Sequence, residues 1–145
     1  MARVSTYLNF PRSTEVAFEF YRSVFGTEFT MPIARFKDIP AAPGQPPLAE
    51  ADKELVMHVE LPILGGHVLM GTDAPDSMGF TVKSGNNMYI NLEPDTRAET
   101  DHLFAALSTG GVVEMPLQEM FWGGYFGSLV DCFGVHWMLN CVSKT

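Results

Sequence analysis

Four stretches of the chain carry the side chains able to do chemistry. They are Tyr7 with Asn9, His58 with Glu60 and then His67, Tyr89 with Asn91, and His136 with Met138 and Asn140. Within each stretch these residues fall at every second position or nearly so. In an extended chain, alternate residues share a face. Each stretch therefore presents its phenol, amide, imidazole or carboxylate groups together. Such a mixed polar and aromatic face suits a small-molecule site. His58 and Glu60 could also work as an acid–base couple. His58, Glu60 and His67 could instead converge on a divalent metal. The plainer reading of those three is two partly exposed histidines and a carboxylate on a polar sheet face.

The elements that must position these groups follow from periodicity. Val4–Phe10 alternates as a half-buried strand and Pro11 stops it. Ser13 or Thr14 can cap a helix whose apolar face is set by Val16, Phe20 and Val24 with Ala17, Phe18, Tyr21 and Phe25, and Gly26 ends it. Glu28–Phe36 reads as a strand that Pro32 places at an edge or a bulge. Residues 37–53 hold four prolines and read as an irregular surface loop, either a lid or a passive insertion. Glu54–Ile63 and His67–Asp73 form a hairpin about Leu64-Gly65-Gly66. If Ile63 opposes Gly66, His67 joins the face of His58 and Glu60. Residues 74–86 form a connection, and the pattern then restarts with a strand at Met88–Leu92. A helix follows over Arg97–Ser108, capped by Asp95 or Thr96 and burying Ala98, Leu103, Phe104 and Leu107, with His102 outward. Strands at Val112–Met120 (interrupted by Pro116), Tyr125–Val130 and Val135–Val142 complete the chain.

Composition narrows the class. A chain of 145 residues with 46% hydrophobic content holds enough apolar mass for a core. Nine basic against seventeen acidic residues, a formal net charge of −8, disfavour a nucleic-acid surface. No run is long enough to span a membrane, and there is no signal-peptide layout. Cys132 and Cys141 are not spaced as a zinc motif and read as two buried thiols of a cytoplasmic protein. No glycine-rich nucleotide fingerprint follows a strand, so nothing in the residues supports methyl transfer from a nucleotide cofactor.

The two halves match each other. Tyr7-Leu8-Asn9-Phe10 and Tyr89-Ile90-Asn91-Leu92 share one pattern, and Thr14 and Thr96 stand at the same offset. Both halves run strand, helix, strand, strand, strand. This is the mark of a duplicated unit. With YLNF at 7–10, FYRSVFG at 20–26, Leu69-Met70, FWGGYFG at 121–127 and DCFGVHWMLN at 131–140, the chain resembles the vicinal oxygen chelate superfamily. That superfamily includes glyoxalase I, extradiol dioxygenases and bleomycin-resistance proteins. The similarity is to its PhnB-like branch, often labelled a demethylubiquinone methyltransferase-type domain.

The resemblance implies an α+β fold of two paired βαβββ modules with helices on the convex side and a concave ligand cleft. Module one is then 1–73, the connection 74–86 and module two 87–145, within one glyoxalase-like domain. It also implies a homodimer. Metal-dependent relatives take one His or Glu ligand from each of four strands, the last a glutamate four residues after the turn glycine. Counting from Gly134 lands here on Met138. The first strand offers Tyr7 or Asn9, and the matching strand of module two offers Asn87, Tyr89 or Asn91, so the inherited ligand set is lost. The expectation is a protein that binds a small molecule without metal or other cofactor. Its cavity-lining candidates are Tyr7, Asn9, Arg35, His58, Glu60, Tyr89, Asn91, Trp122, His136, Met138 and Asn140. Arg35 would meet an anionic ligand and Trp122 would line the mouth. The alternative is a metal-dependent lyase, isomerase or dioxygenase with a rearranged site at His58, Glu60 and His67.

Overall fold

The protein is described from a computed structural model covering residues 1–40 and 42–145. The chain divides into two compact units, Met1–Val82 and Lys83–Thr145. The first contains β1 (Thr6–Phe10), α1 (Thr14–Phe25), β2 (Ala34–Arg35), β3 (Val56–Pro62) and β4 (Val68–Asp73). Its sheet runs β1-β4-β3-β2, with β1 parallel to β4 and the other pairs antiparallel. The second contains β5 (Ile90–Leu92), α2 (Arg97–Ser108), β6 (Val112–Glu119), β7 (Tyr125–Val130) and β8 (His136–Cys141). Its sheet runs β5-β8-β7-β6, with β5 parallel to β8. Each unit is a βαβββ module, so the chain is an α+β fold built from a paired plan.

In each unit the helix covers one face of its sheet. In the first, Phe18 and Tyr21 of α1 are fully buried with Val59, Leu61 and Leu69. In the second, Leu103, Phe104 and Leu107 of α2 are buried with Leu129, Trp137 and Leu139. Apolar area removed from water on these faces holds each module together. The buried stripe of α1 is Thr14, Ala17, Phe18, Tyr21 and Val24, while Val16 is 65% exposed. The expected stripe through Val16 and Phe20 was therefore rotated, because a threonine rather than an aliphatic residue starts the true one. In α2 Thr100 similarly takes the buried place expected of Ala98.

The helix starts are capped differently. Thr96 caps α2 by accepting the Glu99 N–H at 3.1 Å. Ser13 makes no side-chain cap to α1. Asp73, at the end of β4 and 2% exposed, accepts the Thr14 N–H at 3.1 Å instead, and its other oxygen accepts the Val56 N–H at 2.8 Å. One carboxylate thus ties the starts of α1 and β3 to the end of β4.

Several sequence expectations change. The second strand, expected over Glu28–Phe36, is reduced to Ala34–Arg35, since Pro32 has no N–H to donate. The strand expected at Met88 starts at Ile90. The segment 37–53 is irregular and largely exposed, with short 3-10 turns at Phe36–Asp38 and Glu50–Asp52; its Ala41 lies outside the described residues. Its far end is anchored, because the 3%-exposed Asp52 accepts hydrogen bonds from Arg12 (2.9 Å) and Ser77 (2.8 Å). Cys141 is buried but Cys132 is exposed, because it sits in the turn before β8. That turn is organised by buried Asp131, which accepts the Phe133 and Val135 N–H groups at 2.8 and 3.0 Å and the Trp137 indole N–H at 2.9 Å.

The β3–β4 hairpin differs by one residue. Ile63 N–H donates to His67 O at 2.7 Å, and Pro62 pairs with Val68, Leu61 with Leu69 and Glu60 with Met70. Both Gly65 and Gly66 adopt positive φ, so the connection uses three residues rather than two. A one-residue slip moves every side chain of the return strand to the other face.

Candidate functional site

The face of each sheet that the helix does not cover collects the polar groups. In the first unit, Tyr7 and Asn9 of β1 are exposed and lie in register with Met70 and Thr72 of β4, and Met70 pairs with Glu60 of β3. Tyr7, His58 and Glu60 form a chain. The Tyr7 hydroxyl lies 3.1 Å from His58 Nδ1, and His58 Nε2 lies 2.9 Å from Glu60 Oε2. Thr30 donates to Glu60 Oε1 at 3.3 Å, and Arg3 stands 3.9 Å from the same oxygen. The hydrogen bond with His58 is the main cause that holds the Glu60 carboxyl below its ordinary range, partly opposed by burial. Burial, and then the Glu60 charge, push the Tyr7 phenol up, against a hydrogen bond with Thr72.

His67 does not join them. The longer turn puts it opposite Ile63 on the helix-facing side, where its Nε2 meets Thr6 Oγ1 at 2.9 Å. The triad His58, Glu60 and His67 is therefore not assembled. Met70 takes the place beside Glu60. Arg35 is also committed elsewhere. Its two terminal nitrogens donate to the Glu15 carboxylate, each at 2.9 Å, and one of them also reaches Glu54 O at 2.7 Å. It joins β2 to α1 rather than standing ready for an anion.

The second unit gathers a related set. Asn91 pairs with Met138, Met138 with Ser128, Phe126 with Asn140 and Val130 with His136. Tyr89 and His136 meet edge to face, with ring centroids 5.1 Å apart. Between them stands a residue the sequence reading passed over. Glu114 accepts the Tyr89 hydroxyl at 2.9 Å, and its other oxygen lies 3.9 Å from His136 Nε2. The bond to Glu114 is the main cause that raises the Tyr89 phenol. Glu114 was hidden because the β6–β7 register shifts between Val113 and Met115, and such a bulge re-aims a side chain that strict alternation would misplace. An acidic residue shortly before Pro116 in an otherwise alternating strand was the available signal.

Beyond this cluster the β6–β7 turn brings Trp122 over the same face. Trp122 is 52% exposed and packs against Phe126 with centroids 6.0 Å apart. A Cβ on Gly124 would sit 2.4 Å from Trp122 Nε1 and 2.6 Å from Asn140 Oδ1, so the absence of a side chain there keeps both atoms clear. Asn140 Oδ1 is buried and has no hydrogen-bond partner among the described residues. A buried amide oxygen left unpaired is costly and calls for an explanation.

The metal set implied by the resemblance does not fit these residues. The position of the strand glutamate is Met138, flanked in register by Asn91 and Ser128. A thioether is a poor ligand for a hard or borderline cation. Among the described residues no three His, Cys, Asp or Glu side chains are grouped to hold a metal ion, and no helix is long and apolar enough to cross a membrane.

A family profile described as 3-demethylubiquinone-9 3-methyltransferase matches residues 2–140. Among solved structures the chain is similar to protein PA1353 of Pseudomonas aeruginosa, at 33% identity and a TM-score of 0.81, covering 97% of this chain and 98% of that one. It is similar to the PhnB protein of Bacillus cereus, at 28% identity and a TM-score of 0.72, covering 97% and 99%. It shares its fold with a glyoxalase/bleomycin resistance protein/dioxygenase family enzyme of Burkholderia phytofirmans PsJN, at 21% identity and a TM-score of 0.61, covering 95% and 98%. With a duplicated βαβββ plan and a profile match over almost its whole length, the chain belongs to the PhnB-like, 3-demethylubiquinone-9 3-methyltransferase family and shares the fold of a glyoxalase/bleomycin resistance protein/dioxygenase family enzyme.

Proposed function

We propose that this protein binds a small, flat, polar molecule on the open face of its second unit, without a resident metal. The observation that carries this is Asn140 Oδ1, a buried acceptor with no donor among the described residues, beside an exposed indole. A ligand that lays a ring on Phe126, displaces the exposed Trp122 indole enough to uncover Asn140 and donates an N–H or O–H to it would satisfy both groups. Tyr89, Asn91, His136 and Met138 supply the rest of the lining. The first unit's Tyr7, Asn9, His58 and Glu60 form a second polar face of similar chemistry. The same proposal includes a homodimer, supported by the exposed Val112, Val113 and Met115 on β6, and a cytoplasmic setting, supported by the free thiols Cys132 and Cys141.

The test is a fluorescence titration of the whole protein with planar heterocycles bearing N–H or O–H groups, indole-, purine- and phenol-type. A saturable signal is expected, with affinity about tenfold weaker in Asn140→Ala. A flat response from the native protein, or equal affinity in Asn140→Ala and Trp122→Ala, would overturn the reading. A metal-dependent enzyme is the competing reading, and it rests on the His58–Glu60 pair. Elemental analysis separates the two. Stoichiometric zinc, nickel or iron that disappears in His58→Ala or Glu60→Ala would displace the metal-free proposal.

A further inference from the structure

The repeat puts a tyrosine at the same point of both units, and the two hydroxyls are held differently. Tyr89 donates straight to Glu114 at 2.9 Å, and Tyr125 to Asp101 at 2.6 Å. Loss of either phenolic proton would leave a phenolate against a carboxylate, which like-charge repulsion opposes. Tyr7 meets an imidazole instead. Its hydroxyl lies 3.1 Å from His58 Nδ1, and the far ring nitrogen lies 2.9 Å from Glu60 Oε2. An ionised Glu60 can only accept, so the network assigns the hydrogen to Nε2 and leaves Nδ1 to accept from Tyr7. A carboxylate that orients an imidazole, which in turn faces a hydroxyl, is the arrangement by which a base activates a nucleophile.

We propose that Glu60, His58 and Tyr7 form a proton relay that makes the Tyr7 hydroxyl an acyl-accepting nucleophile, a site for activated acyl compounds. Tyr7 Oη bonds to the acyl carbon as its proton passes to His58 Nδ1, and the bond from that carbon to the leaving group breaks. The imidazolium, paired with Glu60, then returns the proton to the departing group. Burial and the Glu60 charge keep the Tyr7 phenol protonated in the resting protein, so a base must take the proton as the new bond forms. The His58 hydrogen bond, with smaller help from Thr30 and Arg3, keeps Glu60 a carboxylate against burial. Tyr7 is 48% exposed, so a reagent can reach it. The relay lies in the first unit and is independent of the ligand site proposed for the second.

The probe is N-acetylimidazole added to the whole protein, with acetylation read at each tyrosine by peptide mass mapping. Tyr89 and Tyr125 serve as controls within the same sample. Acetylation at Tyr7 is expected to be about 100-fold faster than at either control. In His58→Gln and in Glu60→Gln it should fall toward theirs, with the controls unchanged. In the native protein the Tyr7 rate should level off with rising pH, while the control rates keep climbing toward phenol ionisation that Glu114 and Asp101 hold above the ordinary value of about 10. Equal rates at the three tyrosines, or a Tyr7 rate indifferent to both substitutions and rising like the controls, would overturn the relay.

Discussion

At Asp73, Asp131 and Asp52 a buried carboxylate gathers donors that regular secondary structure leaves over. Asp73 takes backbone N–H groups from two elements, and Asp131 takes two from its turn and one from an indole. Removing such an acceptor strands buried donors. Asp73→Ala should cost about 2–4 kcal/mol in chemical denaturation, from two unmet N–H groups. Asp52 gives a pH-dependent case. Its hydrogen bond from Ser77, aided by Arg12, lowers its pKa. A lowered carboxyl pKa adds stability above the unfolded value, near about 3.9, and that stability is lost as pH falls through the folded value. Native protein should therefore be more stable than Asp52→Asn at pH 7, and the gap in denaturation midpoint should close below about pH 4. A gap that persists into acid would contradict this. These aspartates were not legible in the sequence as fasteners, because nothing local distinguishes them from surface residues. The polar faces were legible, because Tyr7, Asn9, His58 and Glu60 keep strict alternation.

The elements explain where reading by pattern failed. Alternation holds only while the register does. A third turn residue at Gly66 sent His67 away from His58 and Glu60, and an irregular β6 brought Glu114 in. Neither event shows in local propensity. The helix–sheet contacts have a sharper signature. A Cβ at Gly71 of β4 would lie 2.5 Å from the buried Phe18 ring of α1. A Cβ at Gly127 of β7 would lie 2.8 Å from Phe104 of α2 and 2.9 Å from Met115 O. Each module thus keeps a glycine where a helix phenylalanine presses on its sheet. Gly71→Ala and Gly127→Ala should each destabilise by about 1–3 kcal/mol. Gly127→Ala should be the worse, since backbone as well as a ring must move. A Gly127→Ala protein with an unchanged thermal midpoint would show that the contact is looser than described.

For the molecule as a whole, the duplication is what the sequence states most plainly, because Tyr–apolar–Asn–apolar survives in both copies and both keep one element order. The proposed homodimer is checked by sedimentation at micromolar concentration, where a dimer-sized species is expected and a single monomer-sized species would count against it. The outermost strand of the second sheet bears on how the protein behaves when crowded. Seven of its eight residues are exposed, yet Pro116 sits mid-strand and the pairing is broken on either side of Met115. A straight strand so bare would template the addition of further chains. The proline and the kinks act as a guard against fibre growth. Pro116→Val should gain thioflavin-binding aggregates on mild heating while the native protein stays clear.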